Sequence, residues 1–182
     1  MALPGVYIHI PFCRSRCSYC DFATGTYESD LAQRYVTALV QEISEARRPG
    51  GLTVVDSIYL GGGTPSLLSP SQLERIFDAV HRRFSVTATA EITMEMNPGT
   101  VTPEKLRAYK AAGVNRASFG AQTFDDRELA KLGRRHTADD VRTTIEMLHQ
   151  TGFDNVSFDL IAGLPGQTMD DWKRNLDEAV KL

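Results

Sequence analysis

The sequence predicts an α/β fold, a partial (β/α) barrel in which parallel strands alternate with helices. Five short segments rich in apolar residues read as strands, at residues 6–10, 54–60, 90–96, 115–120 and 156–161. Segments with helical periodicity follow them over short connections, an order that favours parallel strands joined by right-handed helical crossovers. Five such units do not complete an eightfold barrel, so we expect the barrel to stop after about five βα units.

The first helix is predicted at residues 29–47, after Pro11 ends the first strand. Ser29 or Asp30 is its expected N-cap, and the Pro-Gly-Gly at residues 49–51 is expected to break it. Its inward-facing stripe is expected at four-residue steps, comprising Leu31, Tyr35, Leu39 and Ile43.

Polar caps mark the later helices. Ser69-Pro70 opens a helix whose apolar stripe ends at Phe84. Thr102 and Thr137 are predicted N-caps, because a threonine hydroxyl accepts a hydrogen bond from the first backbone amides of a helix. The apolar side of the last helix consists of Trp172, Leu176 and Val180. No strand follows to be covered by that helix, so we expect the chain to be the front part of a longer protein.

Length and composition suit one soluble domain over residues 1–182. Hydrophobic residues make up 42% of the chain and charged residues 24%, both ordinary for a globular protein. The net charge of −3 argues against a protein built to neutralise nucleic-acid phosphates. No apolar run reaches membrane-spanning length, and the first residues lack the apolar core of a signal peptide. We therefore expect a cytoplasmic protein that has no transmembrane segment and does not bind nucleic acid.

All three cysteines, Cys13, Cys17 and Cys20, lie in one loop after the first strand. An odd number of cysteines packed this closely is a poor disulfide framework and favours a reducing compartment. A [4Fe–4S] cluster usually takes four thiolates, so three would leave one iron open, as in reactive rather than structural centres. The alternative is a structural zinc site that includes His9, which is less favoured because structural zinc usually has paired Cys-x2-Cys ligands.

With an aromatic residue just before its third cysteine, this loop resembles the cluster motif of radical S-adenosylmethionine (radical SAM) proteins. Further motifs resemble the oxygen-independent coproporphyrinogen III oxidase-like group of that family, and within it the haem-chaperone branch. They are Tyr7-Ile-His-Ile-Pro-Phe-Cys, Gly61-Gly-Gly-Thr-Pro, Glu95-Met-Asn-Pro, Phe119-Gly-Ala-Gln-Thr-Phe, Leu132-Gly-Arg-Arg-His and Phe158-Asp-Leu-Ile-Ala-Gly-Leu-Pro. The resemblance implies a barrel of the radical SAM type, without the C-terminal domain of the family.

The resemblance also implies the cofactors and their residues. Cys13, Cys17 and Cys20 would hold a [4Fe–4S] cluster, S-adenosylmethionine would occupy the open iron, and one-electron reduction would release a 5′-deoxyadenosyl radical. The positions that match the family's cofactor contacts are Tyr7, Gly62, Gly63, Thr64, Glu95, Gln122, Arg134 and Asp159.

The residue types at these positions suit that role. Glycines let backbone approach a ligand, and Glu95 near a strand end could fix an ammonium group or ribose hydroxyls. Arg134 could pair with a carboxylate in bidentate fashion. Asp159 stands between apolar strand residues, where an unpaired charge would be costly, so we expect a partner for it. His136 is expected to support the Arg134 loop, and His9 has no assigned role.

Two functions remain open at this point, together with a structural α/β domain that carries an incidental cysteine cluster. One is radical decarboxylation of coproporphyrinogen III, and the other is a haem chaperone that delivers haem to acceptor proteins. True decarboxylases extend the motif by a fourth cysteine two residues after the third, where this chain has Phe22. Phe22 therefore favours the chaperone branch, with haem or a porphyrin, haem-acceptor proteins and an electron donor as partners.

Overall fold

The computed structural model describes residues 3–46 and 53–182. Its strands are β1 (Gly5–Ile10), β2 (Phe12–Cys13), β3 (Gly25–Thr26), β4 (Thr53–Gly62), β5 (Phe84–Met96), β6 (Arg116–Gln122) and β7 (Asn155–Leu160). Its helices are α1 (Ser29–Glu45), α2 (Pro70–Arg83), α3 (Pro103–Ala111), α4 (Asp126–Lys131), α5 (Ala138–Gln150) and α6 (Met169–Lys181). A single 3₁₀ turn at Pro65–Leu67 separates β4 from α2.

Five strands form one sheet in the order β1-β4-β5-β6-β7, and every neighbouring pair is parallel. Helices connect consecutive strands of this sheet, as the alternating pattern predicts. The predicted α/β class with parallel strands is therefore confirmed. Because the strands are parallel, their carboxyl ends meet at one edge, where the cysteine loop and the later strand–helix loops also emerge.

The core lies between the sheet and the helices packed against it. Strand side chains such as Ile10, Leu60, Met94 and Phe119 are almost completely buried, as are Leu73 and Ile76 of α2. They belong to one contiguous apolar cluster that reaches from β1 to α5. This cluster provides the rigid base on which the loops at the carboxyl edge are held.

The start of the first helix differs from the prediction. Its N-cap is Glu28, whose side chain makes no capping hydrogen bond, rather than Ser29 or Asp30. The buried positions are Ala32, Val36, Leu39 and Ile43, whereas Leu31 is 42% exposed. Strict four-residue steps drift around a helix with 3.6 residues per turn, which is why Leu31 falls outside the buried face. The predicted break at residues 49–51 lies outside the described residues.

The boundary between α2 and β5 is also earlier than predicted. The helix ends at Arg83, and Phe84 begins a strand of 13 residues instead of closing the apolar stripe of the helix. The strand pairs with β4 in two stretches, and the register shifts between Val55 and Ser57. The β-branched residues Val86, Thr87 and Thr89 account for the extended conformation.

Helix α6 packs differently from the prediction. Its one buried residue is the polar Asn175, while the predicted apolar residues Leu176 and Val180 are 42% and 88% exposed. Trp172 is half-buried. Polar contacts made by Asn175, described below, thus attach this helix to the rest of the fold. Within residues 3–46 and 53–182, no helix is long and apolar enough to cross a lipid bilayer.

Candidate functional site

A cavity of about 530 Å³ opens at the carboxyl edge of the sheet. Nine of the predicted site residues line it: Cys13, Cys17, Cys20, Gly62, Gly63, Glu95, Gln122, Arg134 and Asp159. A smaller adjoining cavity of about 240 Å³ shares Cys17 and Arg134 with it and adds Thr64. The fold therefore brings together, from five strands, residues that lie up to 146 positions apart in the sequence (Cys13 to Asp159).

The cysteine loop is attached to the body of the protein at both ends and at its middle. Strands β2 and β3 form a small parallel ribbon, in which the Gly25 amide donates to Pro11 O (2.7 Å) and the Tyr27 amide to Cys13 O (2.9 Å). In the middle of the loop, the Ser18 amide donates to Leu132 O at 3.2 Å. The three cysteines are free thiols and are partly exposed.

The cysteines influence one another electrostatically. Burial is the main cause that raises the pKa of the Cys13 thiol, and the neighbouring Cys20 and Cys17 thiolates raise it further. The Thr64 hydroxyl, which donates to Cys13 Sγ at 3.6 Å, and the Arg134 charge act in the opposite direction. Thiolates that repel one another in this way are stabilised by a cationic metal centre, whose binding displaces their protons.

His9 does not complete a zinc site with these thiols. Its Nδ1 lies 3.0 Å from the Tyr7 hydroxyl and its Nε2 lies 2.9 Å from Ala23 O, so both ring nitrogens are engaged. Among the residues that the structure describes, no three His, Cys, Asp or Glu side chains are grouped as ligands of a single metal ion. The role left for His9 is to fix the chain just after the cysteine loop.

The glycine loop after β4 is held from two directions. The Gly62 amide donates to Glu95 Oε2 (2.9 Å), the Gly63 amide to Ile10 O (2.8 Å) and the Thr64 amide to Phe12 O (2.7 Å). Gly62 has a positive φ of 109°, which favours glycine. At Gly63, an added Cβ would lie 2.6 Å from Phe12 O. Since all three amides are engaged within the protein, this loop positions the cysteines and Glu95, and its amides are not free to donate to a ligand.

Glu95 is oriented by two donors. Besides the Gly62 amide, the Tyr59 hydroxyl donates to Glu95 Oε1 at 2.7 Å. Burial and this hydrogen bond raise the pKa of Tyr59, which keeps the phenol protonated as the donor. Tyr7 stacks on Tyr59 with ring centroids 6.1 Å apart, is 59% exposed, and is not among the residues that line the cavity. Tyr59 was not among the predicted site residues, because a tyrosine inside a strand carries no distinguishing signal.

Arg134 lines the cavity and is held there by hydrogen bonds to neighbouring polar side chains. Its Nη1 donates to Asn97 Oδ1 (2.9 Å) and its Nε to the Tyr19 hydroxyl (3.1 Å). Asn97 in turn donates to Thr64 Oγ1 at 2.8 Å, which connects Arg134 to Cys13. In the sequence, Asn97 stands only within the Glu95-Met-Asn-Pro motif and Tyr19 only as the aromatic residue before the third cysteine, and neither was predicted as a site residue. Two donors of the guanidinium are thus used to orient it over the cysteine loop.

The sequence predicts a partner for the charge of Asp159, but the structure leaves this carboxylate open to solvent. It is exposed and lines the cavity, because β7 is the last strand of the sheet among the described residues. Solvent in the cavity can therefore hydrate the carboxylate without a protein cation. The side chain nevertheless adds a second negative charge to the wall that contains Glu95.

His136 lies buried under the Arg134 loop, and its Nε2 is 3.3 Å from Ala121 O. Burial and, next, the charge of Arg134 lower its pKa below the ordinary value of 6.5. The unfolded chain therefore takes up a proton that the folded chain does not. The resulting stability is fully present above pH 6.5 and is lost as the pH falls below it.

We expect His136→Gln to flatten this pH dependence, because glutamine can still donate to Ala121 O but does not titrate. The measurement is the urea midpoint between pH 8 and pH 5.5. His149→Gln, at an exposed helix position, is the control and is expected to keep the wild-type slope. Equal slopes for His136→Gln and wild type would contradict this account.

Comparison with known proteins agrees with the geometry. The sequence matches the radical SAM superfamily over residues 7–179. It is 41% identical over 181 residues to the heme chaperone HemW of Bacillus subtilis (strain 168), covering 99% of this chain and 48% of that protein. The heme chaperone HemW of Escherichia coli (strain K12) is 36% identical over 178 residues, covering 97% and 47%.

Among solved structures, the coproporphyrinogen III oxidase HemN from Escherichia coli, described as a radical SAM enzyme, superposes with a TM-score of 0.88. The two chains are 30% identical, and the match covers 99% of this chain and 42% of that chain. The chain thus spans about half the length of the curated relatives it matches. The resemblance drawn from the motifs is confirmed. Radical SAM proteins in general use a [4Fe–4S] cluster and S-adenosylmethionine. The chain belongs to the radical SAM superfamily.

Proposed function

We propose that this protein is a HemW-like haem chaperone, which binds haem and delivers it to acceptor proteins. Residues 1–182 are its radical SAM core domain. The observation that carries the proposal is Phe22, which stands where the coproporphyrinogen oxidase motif has its additional cysteine. Its side chain is 65% exposed and lines the cavity beside Cys20. The identity to heme chaperones named HemW supports the same conclusion.

The residues present fit the cluster that the family implies. Three free thiols open onto one cavity, and Thr64 donates to the sulfur of Cys13. A hydrogen bond to a ligating sulfur is a usual means of tuning an iron–sulfur centre. We assign Cys13, Cys17 and Cys20 as its protein ligands. When bound, the cluster supplies the electron that cleaves the sulfonium bond of S-adenosylmethionine.

The same cavity suits S-adenosylmethionine, which carries a sulfonium, an ammonium and a carboxylate. Glu95 and Asp159 offer negative charge to its cationic groups, and Arg134 and Gln122 offer donors to its carboxylate. Glu95 is already oriented by Tyr59 and Gly62, so little ordering remains to be done on binding. The role of Gly62, Gly63 and Thr64 in this proposal is to hold Glu95 and the cysteine loop, and the role of Tyr7 is to support Tyr59, the donor to Glu95.

A neighbouring apolar groove of about 330 Å³ extends this cavity and shares Tyr19 and Ile161 with it. Leu132, Leu164 and Pro165 are its other apolar lining residues, and the polar residues in its walls are Ser18, Glu128 and Lys131. A flat aromatic base suits such a groove, because apolar walls favour burial of its faces. We place the adenine of S-adenosylmethionine here, with the amino-acid part in the polar cavity.

The remaining assignments follow from this proposal. The electron donor and the haem acceptors are separate proteins, and the protein works in the cytoplasm, where its three thiols stay reduced. The second candidate function is that of an oxygen-independent coproporphyrinogen III oxidase, which the superposition with HemN favours. Phe22 weighs against it.

The deciding experiment offers the reconstituted protein both haem and coproporphyrinogen III under anaerobic, reducing conditions. We expect stoichiometric haem binding, seen as a Soret band, and transfer of that haem to an apoprotein, with no decarboxylated porphyrin. Formation of protoporphyrinogen IX with consumption of S-adenosylmethionine would overturn the chaperone assignment. The Cys17→Ala variant is the control, since any decarboxylation that depends on the cluster must disappear in it.

A further inference from the structure

Gln122, at the end of β6, has a backbone conformation that most residues avoid. Its φ is 71°, and it is the one residue other than glycine with a positive φ among those that the structure describes. It is also buried, with 7% of its surface exposed. Residues held in this region are strained and persist only where their surroundings enforce the conformation.

The conformation directs the Gln122 side chain back along its own strand and onto the cavity. The side-chain amide lies over Gly120, where an added Cβ would overlap it and would also lie 2.6 Å from Arg134 Nη2. The register between β6 and β7 shifts at the same point, between Gly120 and Gln122. The strained backbone thus places the Gln122 amide beside the Arg134 guanidinium on the cavity wall.

A buried polar cluster holds the chain immediately after Gln122. The Thr123 side chain is completely buried, and its hydroxyl donates to the Glu128 carboxylate. Asn175 Oδ1 lies 3.2 Å from that hydroxyl and accepts from the Phe124 amide at 2.6 Å. On the other side, the Ile161 amide donates to Gln122 O at 2.9 Å.

The cluster joins three separate parts of the chain. Glu128 comes from α4 and Asn175 from α6, where it is the one buried residue. Gln167, in the loop after β7, donates to Glu128 Oε2 at 3.3 Å and accepts from the Gly163 amide at 2.8 Å. Burying the Glu128 carboxylate and the Asn175 amide at one point is costly unless each is hydrogen-bonded, and here each is.

We infer that Thr123, Glu128 and Asn175 form a clamp that holds Gln122 in its strained conformation and thereby positions the Gln122 amide for the ligand. Thr123 and Asn175 are positioning residues, because neither lines the cavity or the neighbouring groove, whereas Glu128 also lines that groove. The inference rests on the proposed function only for the identity of the ligand, S-adenosylmethionine. The hold of the clamp on Gln122 is inferred from contacts within the protein and does not depend on the ligand.

The first test needs no ligand. Asn175→Leu removes the acceptor while keeping a similar side-chain volume. In the wild-type background, release of the strain at Gln122 offsets part of the stability lost, whereas in the Gln122→Gly background there is no strain to release. We therefore expect Asn175→Leu to lower the urea midpoint more in the Gln122→Gly background than in wild type. Equal losses in both backgrounds would overturn the clamp.

The second test measures the dissociation constant of S-adenosylmethionine and the change that it causes in the electron paramagnetic resonance spectrum of the reduced cluster. We expect Asn175→Leu to weaken binding about tenfold, the scale of one lost hydrogen bond to a charged group, and to alter that spectral change. In a Gln122→Ala background it should cause no further weakening, because the amide that the clamp positions is gone. Asp177→Leu, at an exposed position on the same helix, should bind like wild type.

The outcomes distinguish the positioning role of the clamp from the identity of the proposed cofactor. Equal weakening in both backgrounds, or unchanged affinity in Asn175→Leu, would contradict the positioning role. Failure of the reconstituted wild-type protein to bind S-adenosylmethionine would instead overturn the proposed cofactor, and the unfolding measurement would still decide whether the clamp holds Gln122.

Discussion

Replacing any one of Cys13, Cys17 and Cys20 by alanine is expected to abolish the iron–sulfur cluster. Each thiolate would ligate a different iron, and no other cysteine exists in the chain to take its place. After anaerobic reconstitution, we expect wild-type protein to show broad visible absorption and about four irons per chain. Each variant should lose the absorption and retain almost no iron.

Ser18→Ala is the matched control for the cysteine variants. Ser18 lies between Cys17 and Cys20 and is exposed; the substitution keeps the hydrogen bond from its amide to Leu132 O and removes only the long hydroxyl contact with Lys131 O at 3.5 Å. It should reconstitute like wild type. If wild type and the triple cysteine variant gave the same spectrum and iron content, the assignment of the cluster would be wrong.

Gly63→Ala is expected to damage both stability and cluster binding. The added Cβ would lie 2.6 Å from Phe12 O, 2.8 Å from Phe12 N and 2.9 Å from Ile10 O. These are backbone atoms that cannot move without shifting β1 and the start of the cysteine loop. Forcing extra atoms into a packed site costs about 3 kcal/mol at the upper end of the usual range. We expect a loss of that size in urea unfolding, together with reduced iron content.

Gly25→Ala provides the comparison for Gly63→Ala. Gly25 belongs to the same loop region, has a negative φ, and an added Cβ there would meet no atom within 4 Å. Its amide would still donate to Pro11 O. We expect wild-type stability and iron content from Gly25→Ala. If the two alanine variants had the same stability and iron content, close packing of the glycine loop against the cysteine loop would not be the cause of the losses in Gly63→Ala.

Much of the fold could be predicted because its determinants are local. Ser69 and Gln72 form a complete capping box at the start of α2, and Thr102 and Thr137 cap their helices as their sequence contexts predict. The parallel order of strands follows from short strand–helix connections. The errors at Leu31 and Phe84 have a different origin. Leu31 lies one position outside the buried face of α1. An apolar residue such as Phe84 suits a helix or a strand equally, so only tertiary packing determines in which of the two it lies.

The site was predictable where a residue type is unusual for its surroundings. Three clustered cysteines, a glycine run after a strand, and Glu95 and Asp159 within strands all meet that condition. Tyr59, Asn97 and Asn175 do not, because a tyrosine in a strand, an asparagine in a turn and an asparagine on a helix are ordinary. Their importance comes from contacts such as the one between Tyr59 and Glu95, across 36 positions of sequence. Spacing along the chain contains no information about such pairs.

The three consecutive amides of Gly62, Gly63 and Thr64 donate to Glu95, Ile10 and Phe12, which belong to two different parts of the site. A substitution that rotates one of these peptide groups would therefore disturb the carboxylate wall and the cysteine loop together. The Asp159 side chain, by contrast, is exposed and makes no hydrogen bond within the described part of the protein, so a substitution there would leave these shared contacts intact.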